Sequence, residues 1–217
     1  METAASRVTL FMLKLMQMSQ SIQRAHDLVT WIESTLRDLP IALSDQTGDR
    51  IRMAGACFAA ALEHHHAVVV LLRERLNGAA FGLMRGEYEA YVRGVWLARC
   101  ATDSELSSYI SDTKRRNIDQ MLQAIEAMPV FDSRTLSLVK AKNWDAMCSY
   151  THTGALQVQR WISSEAIESQ HSPEEIEEVL GFTSTFALLA ANGVAALAGN
   201  ISLAGQLLEK SREVASW

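Results

Sequence analysis

From Leu180 to Leu208 the chain carries no charged side chain. A helical run of that length can cross a bilayer, so it either spans a membrane or forms an inner wall of a helical core. Its composition favours the core. Thr183, Ser184, Thr185, Asn192, Asn200, Ser202 and Gln206 interrupt it, and Ala, Leu and Gly supply most of the rest. Glu177 and Glu178 precede it, where a membrane helix would show basic or aromatic flanks. The expectation is a buried packing helix and no membrane partner. Its Ala190, Gly193, Ala196 and Gly199 leave room for another helix to come close.

Such a wall needs other helices, and the remaining pattern supplies them. Apolar residues recur at helical spacing through Leu10, Leu13, Ile22, Val29, Ile32 and Leu36, with Met12, Met16 and Met18 widening the stripe. They recur again through Ile51, Phe58, Leu62, Val69, Leu72 and Leu76. Strand signals are missing: no alternating β-branched runs flank an Asn-Gly or Asp-Gly turn. The fold class is therefore all-α, a single bundle over residues 1–217 of about seven helices, ending in a long Ala/Gly-rich one. The 217 residues suffice for one sizeable core.

Local signals set the expected boundaries. The first helix runs from Ser6 to about Asp38, and a loop follows from Pro40 to Gly48. The second runs from Asp49 to a stop at Asn77-Gly78, and the third from Ala79 to Ala101. Thr102 and Glu105 form a capping box that opens a fourth, continuing through Ile118, Met121, Leu122 and Ile125 to Met128. Asp132 or Ser133 caps a fifth that stops near Tyr150 to Gly154. A sixth holds Leu156, Val158 and Trp161. Ser172-Pro173-Glu174-Glu175 then offers an N-cap, a proline at the first helical position and acidic residues facing the helix dipole.

Charge and cysteine usage narrow the setting. A net charge of −5 argues against a general nucleic-acid binder, although Lys114, Arg115 and Arg116 form a local basic patch. Cys57, Cys100 and Cys148 lie far apart in apolar helical patterns and form no CxxC pair. They read as reduced thiols in a reducing compartment. Lys14 and Gln17 break the first apolar run, so no signal peptide is read there. The expected location is the cytoplasm.

Chemistry has two candidate places. On the third helix Arg85, Glu89 and Arg93 are spaced four apart with Trp96 close by, all within an arc of roughly 80°. Apolar residues flank that arc on both sides, which leaves Glu87 as the natural solvent-facing position. A glutamate between two arginines forms an ion-pair ladder. It either locks neighbouring helices together or binds an anion through a free guanidinium face on Arg85 or Arg93. Gly82, Gly86 and Gly94 lower helix propensity by about 1 kcal/mol each, which suggests that another backbone or a ligand comes close. The second place is Trp144 with Tyr150-Thr151-His152-Thr153-Gly154, where a helix end presents a histidine. His152 there either caps the last carbonyls or titrates near neutral pH.

Glu63-His64-His65-His66 contains half of a di-iron carboxylate motif, but the second half is missing elsewhere. His65 falls on the apolar face with Phe58, Leu62 and Leu72 and reads as a core histidine. No metal and no cofactor are expected. The sequence also lacks a phosphate loop, a GxSxG elbow and an HExxH pair.

With Arg85, Glu89, Arg93-Gly94 and Trp96-Leu97 on one helix and Tyr150-Thr151-His152-Thr153-Gly154 downstream, the chain resembles an uncharacterised family of bacterial helical proteins. That family's signature reads Arg-Pro-Leu-x-Glu-x-x-x-Arg-Gly-x-Trp-Leu and then Tyr-Thr-His-Gly-Gly. The likeness covers roughly residues 49–161 and departs at Gly86 and Thr153. It implies a fold and no activity. More distantly the chain resembles the HEPN class of helical bundles, many of them ribonucleases of toxin and antiphage systems. Their Arg-x4-6-His motif is absent as written, so Arg85 or Arg93 would have to supply the arginine in space.

Three hypotheses follow. In the first, a binding or regulatory module lines a polar pocket with Arg85, Glu89, Arg93, Trp96, Trp144, Tyr150, Thr151 and His152, for a small-molecule or protein ligand. In the second, a metal-independent ribonuclease uses His152 as acid or base and Arg85 or Arg93 to stabilise the transition state, with RNA as partner. In the third, a purely structural or assembly protein buries the same cluster. A homodimer is expected from the Met-rich first helix and the small-residue last one.

Overall fold

The computed structural model describes residues 4–39, 48–113, 116–131 and 133–214. Nine α-helices lie among them. These are α1 (Ala4–Leu36), α2 (Gly48–Arg73), α3 (Asn77–Arg99), α4 (Asp103–Ile110), α5 (Ile118–Glu126), α6 (Thr135–Thr151), α7 (Ala155–Gln159), α8 (Pro173–Leu197) and α9 (Ile201–Val214). Apart from an isolated bridge between Ile162 and Ile167, there is no strand among the described residues. The all-α reading holds, and the count is nine rather than about seven.

The two extra helices come from breaks within expected helices. The fourth stops at Ile110, and Asn117 restarts the chain as α5 with its own capping box to Gln120. The final helix breaks after Leu197, where Gly199 takes φ +66. That left-handed conformation suits glycine and ends a helix. The Asn77-Gly78 stop is also corrected. α2 ends at Arg73, Arg75 turns the chain at φ 59, and Asn77 and Gly78 open α3. Thr102–Glu105 forms the capping box read from the sequence, and Ser172 is the expected N-cap, which Glu175 completes into a second box. Ser133 does not cap α6, because Arg134, at φ 54, takes the N-cap position without a side-chain hydrogen bond. The loop from Pro40 to 47, Lys114, Arg115 and Asp132 lie outside the described residues.

α8 is the inner wall. It packs against α1, α2, α3 and α9, and Ala187, Ala190, Ala191 and Ala195 are fully buried on it. Alanine admits neighbours without a large side chain to displace, so four helices can share one. α2 and α8 are long and apolar enough to cross a membrane by length and composition, and α8 sits mostly buried. α1 runs alongside α8 in the same direction. Lys14 pairs with Glu174 at 2.7 Å, Ser21 Oγ donates to Glu177 at 3.4 Å, and Leu28 and Ile32 cluster with Ala187, Leu188 and Ala191.

α2 and α3 form an antiparallel pair joined by the short turn at Arg75. Phe58 of α2 lies between two glycines. A Cβ on Gly94 of α3 would stand 2.5 Å from Phe58 Cε1, and one on Gly193 of α8 would stand 2.5 Å from Cζ. Two helical turns from these residues, toward the α2–α3 turn, stand His65 and Glu87. Both are buried, at 1% and 0% exposure, and no side-chain nitrogen or oxygen of either has a hydrogen-bond partner among the described residues. Glu87 is thus not the solvent-facing residue that the helix pattern suggested. Desolvation holds its carboxyl well above the usual range, and desolvation with the neighbouring His66 lowers His65 to about 3. Burial thus disfavours the charged form of each.

Candidate functional site

α3 also packs closely on α6, and Gly82 permits it. A Cβ there would stand 3.4 Å from the Tyr150 carbonyl oxygen. Thr151 Oγ1 donates to the Gly82 carbonyl at 3.3 Å and to Met147 at 2.8 Å. Further along, Tyr88 donates to the Leu136 carbonyl at 3.0 Å, so the two helices run antiparallel. Gly86, on another face, makes room for His64 of α2, whose Nε2 would lie 2.8 Å from an added Cβ. The glycines of α3 therefore mark close approaches by α6, by His64 and by Phe58.

This docking brings two stripes of four-residue spacing together: Arg85, Glu89 and Arg93 on α3, and Lys140, Trp144, Cys148 and His152 on α6. Arg85 joins them. Its Nε donates to Glu89 Oε1 at 2.7 Å, and its Nη1 reaches His152 Nε2 at 2.8 Å and Cys148 Sγ at 3.6 Å. Its guanidinium lies 4.7 Å from the centre of the Trp144 ring, which Lys140 also approaches at 4.5 Å. Arg93 Nη2 donates to Glu89 Oε2 at 2.5 Å. Arginine has no acceptor, so His152 Nε2 must accept, and the imidazole carries its proton on Nδ1.

The ladder is only partly buried. Side-chain exposure is 15% at Glu89, 24% at Arg85 and 34% at Arg93, and His152 is exposed. Burial raises the Glu89 carboxyl, but hydrogen bonds from Arg85 and Arg93 outweigh it and hold the group below its ordinary value. Glu89 is a carboxylate that screens two cations. Arg93 faces a recess of about 450 Å³ with Tyr109, Asp112, Arg116 and Met121.

The expected site residues separate into two groups. Arg85, Glu89, Arg93, Trp144 and His152 form one connected network. Trp96, 2% exposed, packs in the core with Leu97 and Met121. Tyr150 is buried against Phe81 at 5.0 Å, and its hydroxyl pairs with Arg160. Thr151 uses its hydroxyl on the Gly82 and Met147 carbonyls. Cys148 and Lys140 were not singled out, yet their spacing from Trp144 and His152 marks them on the same stripe.

Among the described residues no three His, Cys, Asp or Glu side chains come together as metal ligands. The Glu63–His66 run diverges instead. His64 Nδ1 meets the Ala60 carbonyl at 2.5 Å, His65 turns into the core, and His66 pairs with Glu33 at 3.1 Å.

The turn that carries His152 is strained at one position. Thr153 takes φ 53, a left-handed conformation that β-branched residues rarely adopt. Gly154 follows, and a Cβ there would stand 2.6 Å from Ser149 Oγ. Thr153→Gly should raise stability by about 0.5–1 kcal/mol, relief of the turn exceeding the extra chain entropy of glycine. Chemical denaturation reads this directly, and a less stable variant would show that the threonine is unstrained.

The fold and site define an all-helical bundle whose surface carries an arginine–glutamate–arginine ladder closed by a histidine. The chain belongs to a family of unknown function, DUF6988, whose model matches residues 58–216. No curated protein and no solved structure matches it.

Proposed function

We propose that the α3–α6 face is the ligand site of a binding or regulatory module, and that its ligand is anionic. The contact between Arg85 and His152 carries this reading. It lies at the solvent edge of a network in which Glu89 fixes both arginines but leaves donors over. Arg85 Nη2 and Arg93 Nε and Nη1 have no partner among the described residues. Together with the His152 Nδ1–H they present several N–H groups to a carboxylate or phosphate. Trp144, stacked under Arg85, would hold the guanidinium in place. A sealed helix lock, as the structural hypothesis requires, would not place its histidine in solvent.

Thermal unfolding with inorganic phosphate, mononucleotides and dicarboxylates tests this. A ligand at a hundred times its Kd adds about 2.7 kcal/mol of stability. The resulting rise in Tm should vanish in Arg85→Gln and shrink in His152→Ala. A rise that both variants retain would place the ligand elsewhere.

The same contact favours a second reading, a metal-independent ribonuclease distantly akin to the HEPN enzymes. An arginine and a histidine supplied by different helices meet, as that chemistry requires. His152 would move the proton and Arg85 would stabilise the developing charge. Parent protein should then cleave total RNA in the presence of EDTA, and His152→Ala should slow cleavage by about a hundredfold or more. Equal cleavage by parent and variant, or none by either, removes the nuclease reading and leaves the binding module.

A cytoplasmic setting accords with Cys57, Cys100 and Cys148 being free thiols. A homodimer would draw on Met12, Leu13 and Met16, each more than half exposed on α1.

A further inference from the structure

α3 also lines a cavity on a second face. Opposite the ladder, Tyr91, Val95, Ala98 and Arg99 form one wall of a cavity of about 800 Å³. α8 supplies Leu189, Asn192 and Gly193, the start of α2 supplies Ile51, and the turn at Met128–Phe131 closes the side. Phe58 is its floor, seated there by Gly94 and Gly193. The volume falls in the range of small-molecule sites, about 300–1,000 Å³, which are apolar with a few placed polar groups.

Two polar groups stand out on that wall. Tyr91 is 4% exposed, stacks with Phe58 and Phe186, and its hydroxyl has no hydrogen-bond partner among the described residues. Tyr91 lines the cavity, so a bound molecule can accept from this hydroxyl. Burial pushes it to about 12, so at neutral pH it remains a donor. Arg99 is exposed at the rim and has no hydrogen-bond or ion-pair partner among the described residues. It lies two helical turns beyond Tyr91 on the same stripe, about 12 Å along the helix axis.

We propose that this cavity binds a small amphiphile with a single anionic head of the carboxylate type. Its apolar body lies over Phe58, its head pairs with Arg99, and an oxygen further along accepts from Tyr91. The ligand class is an oxygenated medium-chain acid. This site is separate from the His152 face and does not depend on its function.

Calorimetric titration of the full chain with decanoate, 10-hydroxydecanoate and decanol tests the assignment. One molecule of each acid should bind per chain, 10-hydroxydecanoate the more tightly. Arg99→Gln should weaken both acids about tenfold and leave decanol unchanged, and Tyr91→Phe should abolish the preference for the hydroxylated acid. Ala98→Trp, which fills the cavity, should remove binding. Val130→Trp does the same from a residue that is 84% exposed, should the first variant not fold. His152→Ala should have no effect. Non-saturating uptake by the parent, equal acid binding after Arg99→Gln, or binding that persists in a folded cavity-filled variant would each overturn the proposal.

Discussion

Glu87→Gln will make the protein more stable at pH 7, and the gain will disappear near pH 4.5. Glu87 is fully buried, neither carboxylate oxygen has a partner, and desolvation raises its carboxyl well above the ordinary 4.5. The sign follows from proton binding. Below 4.5 the group is protonated both folded and unfolded, so it exerts no pH-dependent penalty. Above 4.5 the unfolded chain ionises while the folded one retains its proton. Stability then falls by about 1.4 kcal/mol per pH unit until the raised value is reached. Glutamine has nearly the same shape and cannot ionise, so its advantage should grow as pH rises above 4.5. Melting temperatures of parent and variant at pH 4.5, 7 and 8 read it, at about 2–4 °C per kcal/mol for a chain of this size. His65 acts in the opposite direction: held near 3, it lowers stability as pH drops below its usual 6.5. A Gln variant whose advantage is the same at pH 4.5 and pH 8 would show that Glu87 ionises normally in the fold.

Gly94→Val will destabilise the protein by about 3 kcal/mol, at the upper end of typical overpacking costs, although glycine is itself a poor helix former. The added Cβ would stand 2.5 Å from Phe58 Cε1 and 2.7 Å from Cδ1. The ring cannot simply step away, because Gly193 holds its far side at similarly close range. Phe58→Leu in the same chain should recover part of the loss, since a shorter side chain leaves room for the valine. Melting temperatures of the two single variants and the double variant give the coupling between the sites. Strictly additive losses would mean that Phe58 does not mediate the effect.

Helix type and most starts were legible because they depend on local chemistry. Thr102 and Ser172 each cap the helix that follows with a side-chain oxygen. Interior breaks were less legible. Gly199 sits in a stretch of small residues where one more glycine does not stand out, and the apolar pattern runs on past Asn117 as if the helix continued. The Glu87 error has a different cause. A helical wheel shows that α3 has little free surface, but not that α2 and α8 cover the last of it. On polarity alone the buried place goes to an apolar residue, so a buried unpartnered acid is invisible until the neighbours are in position. The site was half legible. The ladder is local and follows from four-residue spacing, whereas its contact with His152 spans 67 residues of chain and needed the docking of α6 at Gly82. Trp96 and Tyr150 are amphipathic side chains that serve equally well as core, and the core took them.

The seating of α1 has a consequence for synthesis. Part of that seat is α2, where Glu33 meets His66 and Val29 clusters with Val69 and Leu72, but the rest lies on α8, with Ser21 and Glu177 separated by 156 positions. On a ribosome, α1 therefore emerges long before the α8 part of its seat exists, whereas α2 and α3 are neighbours in sequence and can pair at once. α1 can rest on α2 early but completes its docking only once α8 is made. Until Leu188 and Ala191 arrive, Leu28 and Ile32 remain uncovered, and the nascent chain carries an apolar stripe of the kind that chaperones hold.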